Sequence, residues 1–366
     1  MTNLLKVVTI IGARPQFIKA ATVSRILRSH SNITEILVHT GQHYDQNMSE
    51  VFFDELEIPK PEYNLGIGSG NHGKQTGRMI EAIEQVLLSE KPNWLLVYGD
   101  TNSTLAGAIA ASKLHIPIAH VEAGLRSFDN QMPEEINRIL TDRISTLLFA
   151  PTTTAVNHLK SEGINDYSIY LVGDVMYDAA QYYQQKAESL SNIINELNLQ
   201  PKNYILTTIH RAENTDNPDI LNNIFNAFIK LSQEINIVIP LHPRTKKMLA
   251  SLGLLDIVSN SLTLIEPVGY FDMIVLEKNA KLIATDSGGI QKEAYFYQVP
   301  CVTIRDHTEW TELVESNWNT LVSTQSANNI ITQIQQILLK PLPSANTLIY
   351  GNGTAANQIV DRLCAE

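Results

Sequence analysis

Short apolar runs alternate with longer amphipathic segments along most of the chain. In the first half, the apolar runs predict strands at residues 6–11, 33–40, 94–98, 118–121 and 148–150. Apolar positions that recur every three or four residues predict helices at residues 15–29, 73–90, 103–114, 133–147 and 153–162. Strands that alternate with helices are typical of a doubly wound parallel sheet, so we expect a Rossmann-like domain over residues 1–173.

The same alternation starts again after Gly173. The second half predicts strands at residues 204–208, 235–241, 262–265, 282–284 and 301–304. It predicts helices at residues 217–234, 244–252, 271–279, 290–297 and 327–339. A second Rossmann-like domain over residues 174–350 explains this restart, because 366 residues are too many for one typical core. The predicted fold is α/β with two doubly wound domains, and a last helix within residues 353–366 is expected to pack back on the first domain.

Composition and charge exclude several classes of partner. Hydrophobic residues make up 44% and charged residues 18% of the chain, as in a globular protein, and a net charge of -11 repels nucleic acid and anionic membranes. No apolar run approaches the ~20 residues of a membrane span, and residues 1–11 lack the pattern of a signal peptide. Cys301 and Cys364 make neither a disulfide framework nor a metal cluster. We expect a cytoplasmic protein with no nucleic-acid, membrane or metal partner.

The turn at residues 284–294 is the strongest candidate for a binding site. A predicted strand ends there, Asp-Ser-Gly-Gly follows, and a helix begins. Gly288 and Gly289 let the backbone approach a phosphate, and the first N–H groups of the helix carry partial positive charge. Glu293 lies one turn further, at the distance of a ribose from such a phosphate. The alternative is an ordinary strand-to-helix turn in which Ser287 caps the helix.

Polar side chains also follow the other predicted strands. Ligands of such sheets bind outside the carboxyl ends of the strands, so we expect these groups to converge on a cleft between the domains. The motifs are Gly12–Pro15, Gly41–His43, Gly99–Asn102, His120–Arg126, Ile209–Asn214 and His242–Arg244.

Each candidate residue also has a purely structural interpretation. Asp100 could cap the next helix, and Glu134 could simply favour a helix dipole. Glu122 stands among apolar residues, and a buried carboxylate needs a partner or a raised pKa. His210 could be a core histidine, although its position at a strand end favours a functional role. Three cations could be ordinary solvated charges: Arg14, Lys19 and Arg138.

Six motifs together resemble the non-hydrolysing UDP-N-acetylglucosamine 2-epimerase family. In order along the chain they are residues 12–19, 99–104, 120–126, 133–138, 210–214 and 285–293. The resemblance implies a two-domain fold of the GT-B type, with the active site between the domains and UDP held mainly by the second domain. It also implies a homodimer and no cofactor.

The resemblance further implies a reaction and a set of site residues. Anti elimination of UDP gives a 2-acetamidoglucal, and re-addition of UDP on the other face inverts C2. The implied catalytic residues are Asp100, Glu122, Glu134 and His210. The implied contacts to the UDP-sugar are Arg14, Lys19, Arg138, Arg211, Asn214, His242, Arg244, Phe271, Ser287, Gly288, Gly289, Glu293 and Arg305. Glu293 would bind the ribose, and the backbone of residues 267–271 the uracil.

Several motifs depart from the forms usual in the N-acetylglucosamine enzymes. The first motif reads Gly-Ala-Arg-Pro-Gln, and the loop at residues 306–312 reads Asp-His-Thr-Glu-Trp-Thr-Glu. With the glycine-rich loop at residues 66–73, these features resemble the branch that acts on UDP-2,3-diacetamido-2,3-dideoxyglucuronate, a precursor for surface polysaccharide. A UDP-N-acetylglucosamine 2-epimerase is the alternative, followed by a hydrolysing epimerase, a GT-B glycosyltransferase and a non-catalytic sugar-nucleotide sensor.

Overall fold

The computed structural model describes residues 4–42, 56–344 and 349–365, apart from the side chain of Arg14. The chain divides into two compact units. Unit 1 comprises Met1–Gln181 and Thr347–Glu366, and unit 2 comprises Tyr182–Asn346. The division lies inside the helix Val175–Leu190, beyond the boundary expected at Gly173. His43, the last residue of the Gly41–His43 motif, lies outside the described residues.

Unit 1 is built on a parallel sheet. Its described strands are β1 Leu5–Ile11, β2 Ile33–His39, β3 Tyr63–Asn64, β4 Trp94–Tyr98, β5 Ile118–Val121, β6 Leu147–Ala150 and β7 Ile169–Leu171. They are ordered β3-β2-β1-β4-β5-β6-β7, and every neighbouring pair is parallel. The order reverses between β1 and β4, so the ends of these two strands flank the point where doubly wound sheets bind ligands.

The helices of unit 1 cover this sheet. They are α1 Arg14–Ser29, α2 His72–Glu90, α3 Asn102–Lys113, α4 Pro133–Ile144, α5 Thr153–Ser161, the first part of α6 Val175–Leu190, and the C-terminal helix Ala355–Ala365. Pro15 stands in the first turn of α1, and the Gln16 side chain accepts hydrogen bonds from the N–H groups of Gly12 and Ala13. The C-terminal helix packs against α1, so the chain returns to the unit in which it began.

Unit 2 repeats the architecture. Its strands are β8 Tyr204–Thr208, β9 Asn236–Pro240, β10 Thr263–Ile265, β11 Leu282–Thr285, β12 Cys301–Thr303 and β13 Asn319–Leu321, in the parallel order β10-β9-β8-β11-β12-β13. Its helices are α7 Ile193–Glu196, α8 Ala212–Thr215, α9 Pro218–Leu231, α10 Pro243–Ser251, α11 Leu255–Ser261, α12 Tyr270–Asn279, α13 Gly288–Phe296, α14 Thr311–Glu315 and α15 Ala327–Leu339. Here the order reverses between β8 and β11.

The central elements agree with the sequence prediction, whereas the short peripheral ones were not predicted. β4, β5, β8 and α15 have the predicted bounds. The edge strands β3, β7 and β13 and the one-turn helices α7 and α8 were missed, because two to four residues show no periodicity. Within the described ranges, none of the helices has the length and apolar character needed to cross a membrane.

Asp178 links α6 to the start of the C-terminal helix and makes stability depend on pH. The carboxylate is buried and accepts a hydrogen bond from the Ala356 N–H at 2.8 Å. Burial raises the pKa of Asp178 to about 6, although the Ala356 and Ala355 N–H groups oppose the rise. A raised pKa in the folded state gives stability that is present below the ordinary pKa and is lost as pH rises through about 6.

Substitution of Asp178 by Asn is therefore expected to flatten the pH dependence of stability. Between pH ~4 and ~7 the free energy of unfolding of the wild type should fall by roughly 2–3 kcal/mol relative to that of the variant. Urea unfolding at several pH values measures this difference. Parallel curves for the two proteins would show that Asp178 does not carry the effect.

Candidate active site

The first cluster of site residues lies at the switch point of the unit 1 sheet. The loop after β1 approaches the start of α3 so closely that a Cβ on Gly12 would lie 2.1 Å from Ser103 Oγ and 2.2 Å from Thr40 Oγ1. These two hydroxyls are hydrogen-bonded to each other at 2.8 Å. Glycine is therefore required here, because the loop after β1 packs directly against these two hydroxyls.

Lys19 and Glu122 form a buried ion pair in this cluster. Lys19 Nζ on α1 contacts Glu122 Oε2 after β5, and the two residues are 8% and 7% exposed. Glu122 has a φ of 71°, which is uncommon for a residue with a side chain and often marks a functional site. Its N–H and that of Ala123 both donate to the Phe149 carbonyl at 3.1 Å. The carboxylate is thus held in place and has the partner that its burial requires.

Arg138 on α4 joins Asp100 to Glu135. Its Nη1 donates to Asp100 Oδ2 at 2.5 Å, while Nε and Nη2 donate to Glu135 Oε2 at 2.9 and 2.7 Å. The Arg138 side chain is 3% exposed, and the Asp100 side chain is 32% exposed. Asp100 therefore lies at the open side of the cluster, with a rigid cation beside it.

The carboxyl groups bound to Arg138 have pKa values shifted in opposite directions. Desolvation raises the pKa of Asp100, Arg138 and Lys19 oppose the rise, and Glu122 and Glu134 add to it. Desolvation also acts on Glu135, but hydrogen bonds from Ser127 and Arg138 outweigh it and hold the pKa of Glu135 below its usual range. Such a divergence suits a proton carrier beside a permanently ionised group. Glu134 itself is exposed at the first turn of α4.

A buried network lies behind the cluster. His120 and Arg126 belong to the His120–Arg126 motif, whereas their partner Asp142 was not predicted. The two ring nitrogens of His120 contact the Gly99 carbonyl and Asp142 Oδ1, each at 2.7 Å. Arg126 Nη1 lies 2.8 Å from Asp142 Oδ2. Desolvation opposes the charge of Asp142, yet His120 and Arg126 lower its pKa. Because Gly99 precedes Asp100, this network fixes the backbone that carries the candidate proton carrier.

In unit 2, Asp286 orients His210 at the junction of β8 and β11. Asp286 is fully buried and accepts hydrogen bonds from the N–H groups of His210 and Arg211 at 3.0 Å and from Asn214 Nδ2 at 3.1 Å. His210 Nδ1 lies 3.2 Å from Asp286 Oδ1, and the His210 side chain is 38% exposed. Desolvation raises the pKa of Asp286, but His210 and these donors hold it below its usual range. The carboxylate fixes the ring, so the other nitrogen can face a ligand.

The start of α13 has the geometry of an anion site. Ser287 makes no side-chain cap, and no acidic residue lies in the first turn. In the described part of the chain, no atom beyond the adjacent residues and the nearby backbone of α13 lies within 4 Å of a Cβ built on Gly289. The first N–H groups of a helix need an acceptor from outside the helix. A phosphate is the acceptor that the sequence predicts for this turn.

Two arginines and two glutamates surround this turn. Arg305 Nε donates to Glu213 Oε1 at 2.9 Å, and its Nη1 donates to Glu309 Oε2 at 3.2 Å. Arg305 is 3% exposed, and its Nη2 has no hydrogen-bond partner among residues 4–42, 56–344 and 349–365. Arg211 Nη2 lies 3.8 Å from Glu309 Oε1. Both arginines are among the predicted contacts to the UDP-sugar, whereas neither glutamate is.

His242 and Arg244 lie beside His210 but are engaged differently. His242 Nδ1 accepts a hydrogen bond from the Arg244 N–H at 3.1 Å, and its ring centroid lies 5.6 Å from that of His210. The Arg244 guanidinium binds both oxygens of Asp216, at 2.6 and 2.5 Å. A role for Arg244 in ligand binding would require this surface pair to open.

The side chains predicted to lie at the uracil and at the ribose are both buried. The Phe271 ring is buried 5.9 Å from the Tyr183 ring, and Lys186 Nζ lies over it at 5.9 Å, so the ring packs against other residues of unit 2. Glu293 lies in α13 at 7% exposure. Burial and the neighbouring Glu293 raise the pKa of Glu277 well above its usual range.

The candidate residues thus form one cluster in each unit. The unit 1 cluster contains Lys19, Asp100, Glu122, Glu134 and Arg138. The unit 2 cluster contains His210, Arg211, Asn214, His242, Ser287–Gly289 and Arg305, with Glu293 one turn along α13. Arg14 begins α1, and its side chain lies outside the description. Among the described residues, no group of three or more acidic, histidine or cysteine side chains could hold a metal ion.

Known proteins resemble this chain over its length. Residues 25–364 match the family model described as UDP-N-acetylglucosamine 2-epimerase. A UDP-N-acetylglucosamine 2-epimerase homolog of Methanococcus maripaludis is 56% identical over 98% of this chain and 99% of its own length. The UDP-2,3-diacetamido-2,3-dideoxy-D-glucuronate 2-epimerase of Pseudomonas aeruginosa is 50% identical over 98% and 99%.

A solved structure shows the same architecture. The UDP-GlcNAc 2-epimerase of Methanocaldococcus jannaschii, crystallised with UDP-GlcNAc and UDP, superposes with a TM-score of 0.92 at 46% identity. The match covers 99% of this chain and all of that one. The likeness confirms the predicted α/β fold of the GT-B type.

Proposed function

Because the chain belongs to the UDP-N-acetylglucosamine 2-epimerase family and is therefore an isomerase, we propose that it inverts C2 of a UDP-2-acetamido sugar, from the gluco to the manno form. UDP leaves by anti elimination and adds back to the 2-acetamidoglucal, so no sugar is released. The observation that carries the proposal is the pair of carboxylates Asp100 and Glu122, each held against a cation at one sheet edge.

The proton transfers of this reaction need more than one carboxyl group. Elimination takes the proton from C2 while the bond between C1 and the diphosphate oxygen breaks, and addition returns a proton to the opposite face. Burial raises the pKa of Asp100, which favours its protonated form and suits a proton carrier, and in this proposal Glu122 and Glu134 are the other proton carriers. Lys19 holds the Glu122 carboxylate in place and Arg138 holds that of Asp100, and both cations offset negative charge.

In this proposal, the unit 2 cluster stabilises the leaving diphosphate. The first N–H groups of α13 and the guanidinium groups of Arg211 and Arg305 would receive the negative charge that develops on UDP. His210, oriented by Asp286, faces the same charge. The mechanism requires that one UDP-sugar reaches both clusters.

For the substrate we favour UDP-2,3-diacetamido-2,3-dideoxyglucuronate, a precursor for surface polysaccharide. The Pseudomonas aeruginosa relative named for that substrate supports this choice, as do the departures at residues 12–16 and 306–312. The alternative, UDP-N-acetylglucosamine, is supported by relatives in Methanococcus maripaludis and Methanocaldococcus jannaschii, both 47% identical.

Proton NMR with each of the two sugar nucleotides tests the proposal. We expect the manno epimer of the diacetamido substrate to appear while UDP stays attached, and little conversion of UDP-N-acetylglucosamine. Faster conversion of UDP-N-acetylglucosamine than of the diacetamido sugar would identify UDP-N-acetylglucosamine as the substrate instead. Free UDP together with an unlinked sugar would identify a hydrolysing enzyme instead.

We further propose a homodimer that uses the outer face of α4. This helix carries Arg138 inside, whereas Ile136, Ile139 and Leu140 are 47%, 37% and 46% exposed on its other side. Adjacent exposed apolar residues of this kind commonly mark an interface. Substitution of Leu140 by Glu is expected to convert a dimer to a monomer in light scattering coupled to gel filtration. A wild-type monomer, or a variant that remains dimeric, would contradict this surface.

A further inference from the structure

Glu309 places a negative charge at the proposed nucleotide site, where it would repel the diphosphate of UDP. A Cβ built on Gly288, the first residue of α13, would lie 2.3 Å from Glu309 Oε1. The carboxylate therefore lies against the start of the helix that is expected to bind the diphosphate. The Glu309 side chain is 8% exposed, so water screens its charge weakly.

The arginines at this site are already matched by carboxylates. Arg305 contacts Glu213 and Glu309, and Arg211 faces Glu309. Two guanidinium groups and two carboxylates have no net charge, and a diphosphate gains little from such a cluster. The Glu213 side chain is 43% exposed, so its charge is screened far more than that of Glu309.

Arg305 points to a missing ligand at the same place. Its Nη1 is used by Glu309, and its buried Nη2 has no partner among the described residues. A guanidinium binds a phosphate best through two parallel N–H groups. If Glu309 left, Nη1 and Nη2 would form such a two-pronged donor, and the Arg211 guanidinium would lose its competing anion.

We propose that Glu309 is an internal anion that holds the place of the nucleotide phosphate in the free protein and is displaced when UDP binds. This inference rests on the proposed function, because it assumes that UDP binds at the start of α13. Glu309 therefore weakens the affinity for the nucleotide. It also neutralises the two arginines while the site is empty.

The test compares the affinity of the full-length protein for UDP and for uridine by calorimetry. Glu309→Gln keeps the shape of the side chain and removes its charge, and we expect it to bind UDP roughly three- to tenfold more tightly, the scale of one weakly screened like charge. The affinity for uridine, which has no phosphate, should not change. Glu309→Ala should move UDP affinity in the same direction.

Glu266→Gln is the matched control, because it removes an equal charge from an 81% exposed side chain that pairs with Lys246. It should leave the affinity for UDP unchanged. Equal or weaker UDP binding by both Glu309 variants would overturn the inference and make Glu309 a residue that positions the arginines. A wild-type protein that does not bind UDP would instead remove the proposed function.

Discussion

Substitution of Asp100 by Asn is expected to lower kcat by roughly 10²–10⁴-fold, the usual contribution of a general acid or base. Asn keeps the size of the side chain and can still face Arg138, but it cannot carry a proton. The fold should survive, since the Asp100 side chain is 32% exposed and Arg138 keeps its bonds to Glu135. Initial rates of epimerisation and thermal unfolding of the same protein measure the two effects.

The control for Asp100 is Asp166→Asn, which removes one partner of an exposed ion pair with Lys160 in the same unit. Exposed pairs contribute about 0–1 kcal/mol, so this variant should keep wild-type kcat and stability.

The pH profile of the rate is a second readout for Asp100. The wild-type rate should change with an ionisation above the ordinary range of Asp, in keeping with the raised pKa of Asp100. The residual rate of Asp100→Asn should not show this change with pH. Unchanged kcat in Asp100→Asn would exclude it as a proton carrier.

Substitution of Asp286 by Asn is expected to reduce kcat by about 10²-fold through His210. The carboxylate orients the imidazole through Nδ1, and an amide can present its NH₂ group there instead, which would turn the ring or change its tautomer. Asp286 is a positioning residue in this account, so its effect should depend on His210. Stability should also fall, because Asp286 accepts two backbone N–H groups in the fully buried site.

A double-mutant cycle separates these two contributions. If Asp286 acts through His210, the variant that combines Asp286→Asn with His210→Asn should be hardly slower than His210→Asn alone. If the loss in kcat of the double variant equals the product of the two single losses, Asp286 acts independently of His210, for example by holding Asn214 and the loop after β8. Unfolding experiments on the three variants show how much of the loss is structural.

The central sheets were predictable because buried parallel strands are apolar along several consecutive residues. β4 and β8 are buried at every position, and their bounds were predicted correctly. The edge strands β3, β7 and β13 have two or three residues, many of them partly exposed, so they lack that signal. The residues at the strand ends could be selected because parallel topology places them on one edge.

The partners of those residues could not be predicted, since they come from distant parts of the chain. Asp286 and His210 are 76 residues apart in sequence, and their contact follows from the pairing of β11 with β8. The same holds for Arg138 and Asp100, which meet only when α4 packs beside the end of β4. The role of Glu309 depends on a loop that has no regular structure, and periodicity says nothing about such a segment.

Cleavage of the bond between C1 and UDP distinguishes elimination from direct deprotonation, and positional isotope exchange detects this cleavage. The substrate is prepared with a heavy-isotope label in the oxygen that bridges C1 and the β-phosphorus, and it is incubated with the enzyme in heavy water. Elimination and re-addition of UDP should scramble the label into the nonbridging β-phosphate positions while deuterium enters C2. Deuterium at C2 with the label still entirely in the bridge would contradict elimination and indicate direct deprotonation with UDP attached.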